Sequence, residues 1–126
     1  MVKKYGEYLY FIFRVLVGLL FFQHGAQKLL GRFGGNKVAL FSLMGLAGLI
    51  ELVGGLFIAL GLFTRITAFI AAFEMLVAYF KAHLPQGLIP IMNMGEPALL
   101  FFASSLVLIT YGPGKWSLGI ILFKKG

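Results

Sequence analysis

Apolar positions in this chain come in long blocks, and the polar positions that interrupt them are few enough to name. Runs such as Leu16 to Phe22 and Leu56 to Leu60 carry whole helical turns without a polar face. That is the pattern of helices surrounded by hydrocarbon, since a helix lying on a soluble core keeps one polar stripe. One strictly uncharged run, Pro97 to Gly114, is long enough to span a bilayer. Once isolated ionisable residues are tolerated, four spans emerge, at about 8–30, 41–63, 66–83 and 96–111. The third and fourth are short for a hydrocarbon core of about 30 Å, which predicts local thinning or continuation into the interface. The expectation is an all-α membrane protein: one transmembrane domain over residues 1–126, folded as a four-transmembrane-helix antiparallel bundle.

The connections sharpen this picture. Little more than Thr64 and Arg65 separates the second span from the third, which predicts a tight antiparallel hairpin. The stretch from Leu84 to Gly95 holds Pro85, Gly87, Pro90, Asn93 and Gly95 and predicts an irregular loop. Gly112, Pro113 and Gly114 end the fourth span. Trp116 then suits an interfacial anchor ahead of a short apolar patch, Ile120 to Phe123.

Composition excludes most other classes. The chain is 60% hydrophobic and 12% charged, against roughly 25% charged residues in soluble domains. Arg14 interrupts the first apolar stretch and no small-x-small site precedes Gln23 and His24, so this segment is expected to stay as a span and not to be cleaved as a leader. The net charge of +7 raises the question of nucleic acid, but the basic residues sit at segment ends, where they serve topology and lipid headgroups. The lipid bilayer is therefore the expected partner, and nucleic acid is not. An even number of spans puts both termini on one side. That side would hold Lys3, Lys4, Arg65, Lys115, Lys124 and Lys125, against Lys28, Arg32, Lys37 and Lys81 opposite, which favours cytoplasmic termini. With no cysteine, disulfide exchange, thiolate chemistry and cysteine-held iron–sulfur clusters are excluded within this chain. His24 and His83 stand alone without metal-ligand spacing, so no metal site is expected.

The candidate chemistry lies in the ionisable residues the spans contain. Charges at the helix centre cost about 2.5 to 3.5 kcal/mol each, so Arg14, Glu51 and Glu74 together cost roughly 8 to 10 kcal/mol unless they find partners. At 1.5 Å per residue, Arg14 lies roughly 9 Å, Glu74 roughly 12 Å and Glu51 roughly 18 Å from the cytoplasmic side. An inner tier follows in which Glu51 and Glu74 share one proton and relay it, with Arg14 as counter-ion; a register-fixing clamp without chemistry is the alternative. At the other face His24, Lys28, Lys81, His83, Asn93 and Glu96 can converge. A binding pocket of His24, Lys28, Asn93 and Glu96 is expected there, the alternative for Glu96 and Pro97 being a simple helix start. Gly48, Glu51 and Gly55 share a face of the second span, and Arg14, Gly18 and Gly25 a stripe of the first that reaches Lys28; the two stripes are expected to face each other. A faint internal echo also appears. Arg14 precedes Phe22 and Gln23 by the interval at which Arg65 precedes Phe73 and Glu74, as duplication of a two-helix unit or chance would produce.

The order of these residues resembles the DoxX family of small four-helix membrane proteins over nearly the whole chain. The resemblance is carried by Arg14 with Gly18, His24-Gly25 and Lys28, then Glu51 with Gly54-Gly55, Gly61, Thr64 and Arg65, then Met75 and Ala78. Its most distinctive part is Tyr79 to Glu96, followed by Gly112-Pro113-Gly114 and Ser117-Leu118. Gly119 stands where the family commonly has an aspartate, so no role is carried over to that position. The resemblance implies a multi-pass protein of the plasma (inner) membrane, associated with oxidoreductase systems such as thiosulfate:quinone oxidoreductase subunits and proteins of quinone or catechol metabolism. The expected function is a membrane subunit or quinone-interacting component of an electron-transfer system, fed by a redox partner protein. A quinone is then the cofactor to look for; the residues themselves name none. Two rivals stay open: a non-catalytic membrane scaffold, and a small proton-coupled carrier that would form a homo-oligomer along its glycine stripes.

Overall fold

The computed structural model describes residues 2–31 and 42–123. The structure is all-α: α1 (Val2–Leu30), α2 (Leu43–Leu60), α3 (Thr64–Ala78), α4 (Pro90–Asn93), α5 (Glu96–Tyr111) and α6 (Leu118–Phe123). Two helical stretches, Tyr5–Leu30 and Thr64–Gln86, are long and apolar enough to cross a membrane, and two shorter ones, Met44–Leu60 and Glu96–Tyr111, are apolar. The start expected for the second span at Phe41, and the topology markers Arg32, Lys37, Lys124 and Lys125, lie outside the described residues.

The helices pack as two pairs. α1 lies along α2 and α3 along α5, while α2 and α3 touch each other less. The hairpin read from the short Thr64-Arg65 connection is therefore a sharp turn whose arms part. Its chemistry is visible: Gly61 ends α2 at φ 73°, and Phe63 starts α3 at φ 47°, a left-handed conformation that is costly for a residue with a Cβ. Because Phe63 turns the chain so abruptly, α3 begins at once, and with the turns that continue past Ala78 the helical run reaches Gln86, longer than the short third span read from hydropathy.

Between α1 and α2 the sequence does what small residues allow. A Cβ on Gly18 or Gly25 would collide with the backbone of Ala59 or Leu52, and one on Gly55 with the backbone of Phe22. The two backbones are therefore in direct contact, as in close-packed membrane helix pairs. A small apolar core, including Phe21, Ile58, Ala71, Met75 and Leu108, joins the pairs, and the outward faces keep exposed large apolar side chains such as Leu16, Leu19, Phe69, Phe73 and Leu100.

Past Ala78 the third helix widens into a single π-helical turn, Tyr79–His83, then tightens into a 3-10 turn, Leu84–Gln86. The stretch up to Gly95 is more ordered than its prolines and glycines predict, with α4 inside it. Asn93 explains this. Fully buried, it donates to the Tyr79 hydroxyl (3.1 Å) and to Gly87 O (2.9 Å) and accepts from Gly95 N–H (2.8 Å).

Candidate functional site

The embedded charges resolve into two separate places. At the end where α2 closes, Arg14 is 2% exposed, and its guanidinium donates to Ile58 O (3.0 Å), Ala59 O (3.1 Å), Trp116 O (3.0 Å) and Pro113 O. The carbonyls at a helix end lack intrahelical donors, and a guanidinium carries five N–H groups in a fixed fork. Arg14 therefore pins α1 to the end of α2 and to the segment after α5. This corrects the expectation that Arg14 is counter-ion to the glutamates: four of its five N–H groups are taken by backbone carbonyls.

The counter-ion is Lys28. Its Nζ lies 2.6 Å from Glu51 Oε2, with Glu51 wholly buried and the lysine side chain 21% exposed. The expectation had put these residues in different tiers. Measured from the other end of α2, however, Glu51 is only about two turns in, roughly 12 Å, and the glycine contact of Gly25 on Leu52 aligns the last turn of α1 with it. Gly48 contributes as well, because a Cβ there would press on the Lys28 and Leu29 side chains. The glycine stripes thus set the register that makes the ion pair.

Glu74 reaches toward Glu51 from α3 and is itself 8% exposed. No donor reaches Glu51 Oε1 or either Glu74 oxygen, and two carboxyls can bond each other only if one keeps a proton, since an ionised carboxylate offers only acceptors. These groups border a cavity of about 350 Å³ between the helix pairs, whose wall includes His24, Lys28, Glu51, Glu74, His83 and Phe101. His24 meets the Phe101 ring edge-on, with centroids 5.4 Å apart. His83 Nδ1 is 3.1 Å from Asn93 O. A neutral ring donating there presents Nε2 as an acceptor.

The expected pocket of His24, Lys28, Asn93 and Glu96 is therefore divided. His24 and Lys28 line the cavity, and the expected inner-tier pair Glu51 and Glu74 joins them. Asn93 and Glu96 do not. Asn93 spends its amide on holding the 84–95 stretch, and Glu96 is exposed at the first turn of α5, where an acid complements the helix dipole. His83 belongs to the wall although the pocket read from the sequence omitted it; the π-helical turn that carries it has no sequence signature. Among the described residues no cluster of three metal-binding side chains exists.

The sequence profile of the family described as DoxX matches residues 9–84, more than half of the chain and the part that holds Arg14, His24, Lys28, Glu51 and Glu74. The chain belongs to the DoxX family. An uncharacterized protein of Haemophilus influenzae is 38% identical over 98% of both chains. Inner membrane protein YqjF of Escherichia coli is 32% identical over 98% of this chain and 99% of its own. A Bacillus subtilis protein named "Putative oxidoreductase CatD" is 30% identical over 90% of this chain and 86% of its own. No solved structure matches the chain. This DoxX protein is accordingly a membrane protein, and its apolar helices agree with that.

Proposed function

We propose that this DoxX protein is a four-span component of the inner membrane, with cytoplasmic termini, that binds a quinone and handles its protons within an electron-transfer system. The observation that carries the reading is the cavity between the helix pairs, where two carboxyls, a lysine and two imidazoles converge in an otherwise apolar setting. Ionisable groups at such depth are costly and usually mark a path for protons or substrate. The volume, about 350 Å³, falls in the range of small-molecule sites.

Each residue has a role in this reading. Lys28 has three donors and spends one on Glu51, so it can offer another to a ring carbonyl oxygen. His24 is held edge-on to Phe101 and can donate to the opposite oxygen. Glu51 and Glu74 share one proton; with it their contact becomes a hydrogen bond, and without it three carboxyl oxygens stay unpaired. Conversion of the quinone to the quinol takes two electrons and two protons. The electrons come from a partner protein, and the protons pass through the carboxyl pair; cysteine-held clusters have no place in this chain, which has no cysteine. The oxidoreductase name of the Bacillus subtilis relative supports this reading.

The test is binding of decyl-tailed 2,3-dimethoxy-5-methyl-1,4-benzoquinone to the purified protein in lipid nanodiscs. Saturable binding that is weakened by His24→Ala and by Glu74→Gln is expected. A folded wild-type protein that binds no quinone would overturn the reading and leave the scaffold.

A further inference from the structure

A second cavity, about 550 Å³, lies where α2 and α3 part. Phe69, Ile70, Phe73 and Val77 form much of its wall, and its surface is almost wholly apolar. It is not separate from the polar cavity. Met44, Ala47, Glu74, Ala78 and Ala82 line both. Three of these five carry only a methyl group, so the partition is thin except at Met44 and Glu74. Glu74, more than nine-tenths buried and with both oxygens lacking a donor, is thus exposed to an occupant of either space.

A water-soluble substrate has no reason to use such a route. Phe69 and Phe73 are 65% and 66% exposed on α3, a helix long and apolar enough to lie in a bilayer, so the groove opens onto hydrocarbon. We propose that the polar cavity is filled sideways from the bilayer, through the groove between α2 and α3, by a ring that carries an apolar tail. The ring lies beside Glu74 and Glu51, and the tail stays in the groove against Ile70, Phe73 and Val77. This rests on the quinone reading above and adds to it the route and the need for a tail.

The experiment compares two molecules, the decyl-tailed benzoquinone with a photoreactive diazirine at the tail end and the same ring without a tail. Binding is measured in nanodiscs to the wild type and to Ile70→Trp and Val77→Trp, which fill the groove from exposed positions and leave the polar wall untouched. The expected result is photolabelling of the α3 peptide that carries Phe69 to Val77. In both variants affinity for the tailed ring falls about tenfold, equivalent to roughly 1.4 kcal/mol, with the tail-free ring unaffected. Equal affinity of the tailed ring for variants and wild type would overturn the sideways route while leaving the quinone site standing. Labelling of the groove by a diazirine phospholipid that the tailed ring cannot displace would also overturn it, since the groove would then hold only bulk lipid. Failure of both rings to bind the wild type would overturn the site and the route together.

Discussion

The two helix pairs are built to the same plan and finished differently. In each, an arginine on the first helix meets the closing end of the second: Arg14 the end of α2, Arg65 the end of α5. The same interval separates Arg14 from Gly61 and Arg65 from Gly112, and both glycines end their helix at positive φ. Yet Arg14 is buried and holds four carbonyls, whereas Arg65 is exposed with one long bond, 3.5 Å, to Thr110 O. The first pair is locked by backbone contact at Gly18, Gly25 and Gly55; the second brings Glu74 with no donor and an exposed aromatic face. One pair is given to rigidity and the other to the open side of the cavity. Few constraining contacts around a site are what permit it to open at low cost.

The largest effect should come from breaking the lock. Arg14→Met orphans several buried carbonyls at about 1 to 3 kcal/mol each, a total above about 4 kcal/mol. Arg65→Met should cost less than about 1 kcal/mol, as exposed interactions do. Unfolding in mixed micelles over a denaturing-detergent titration would compare them, and equal losses would end the claim that the halves differ. Next is Lys28→Met, which strands Glu51 and should cost about 3 to 5 kcal/mol. Adding Glu51→Gln should recover a large part of that loss in the same titration. Gly25→Ala should cost about 1 to 3 kcal/mol, because the new methyl meets backbone that cannot turn aside. The smallest change is Gly6→Ala, also in α1 but with open space around it. It should stabilise by about 0.5 to 1 kcal/mol from helix propensity alone, so the contrast with Gly25 isolates the seam.

The seam was legible because glycines seven residues apart, Gly18 with Gly25 and Gly48 with Gly55, report a helix face directly. So was the identity of the deep carboxyls, since few residues compete for attention in so apolar a chain. The partner of Glu51 was not legible. Depth counted along a helix gives the height of a Cα but depends on which end the count starts from, and the ends of α2 lie two and three residues inside those read from hydropathy. It also ignores what a side chain meets on its own level, which is why Arg14 was matched to glutamates when helix-end carbonyls were nearer. Asn93 shows a third limit. A buried amide that closes a loop and one that faces a ligand look alike until its bonds to Tyr79, Gly87 and Gly95 are seen.

The π-helical turn at Tyr79–His83 has a consequence for how this protein can change over generations. Such a turn accommodates one more residue than the α-helix would, so deleting a single residue within it, Phe80 for example, restores regular winding. The residues beyond it would keep their helical phase, because the bulge had already absorbed the extra residue, whereas the same loss in the regular part of α3 would swing everything after it by about 100° around the helix axis. One codon lost inside the turn is thus absorbed, whereas one lost earlier in α3 would turn the imidazole off the cavity wall and uncouple the closing stretch in a single event. The turn is a place where this chain can change its length without rebuilding what lies beyond it.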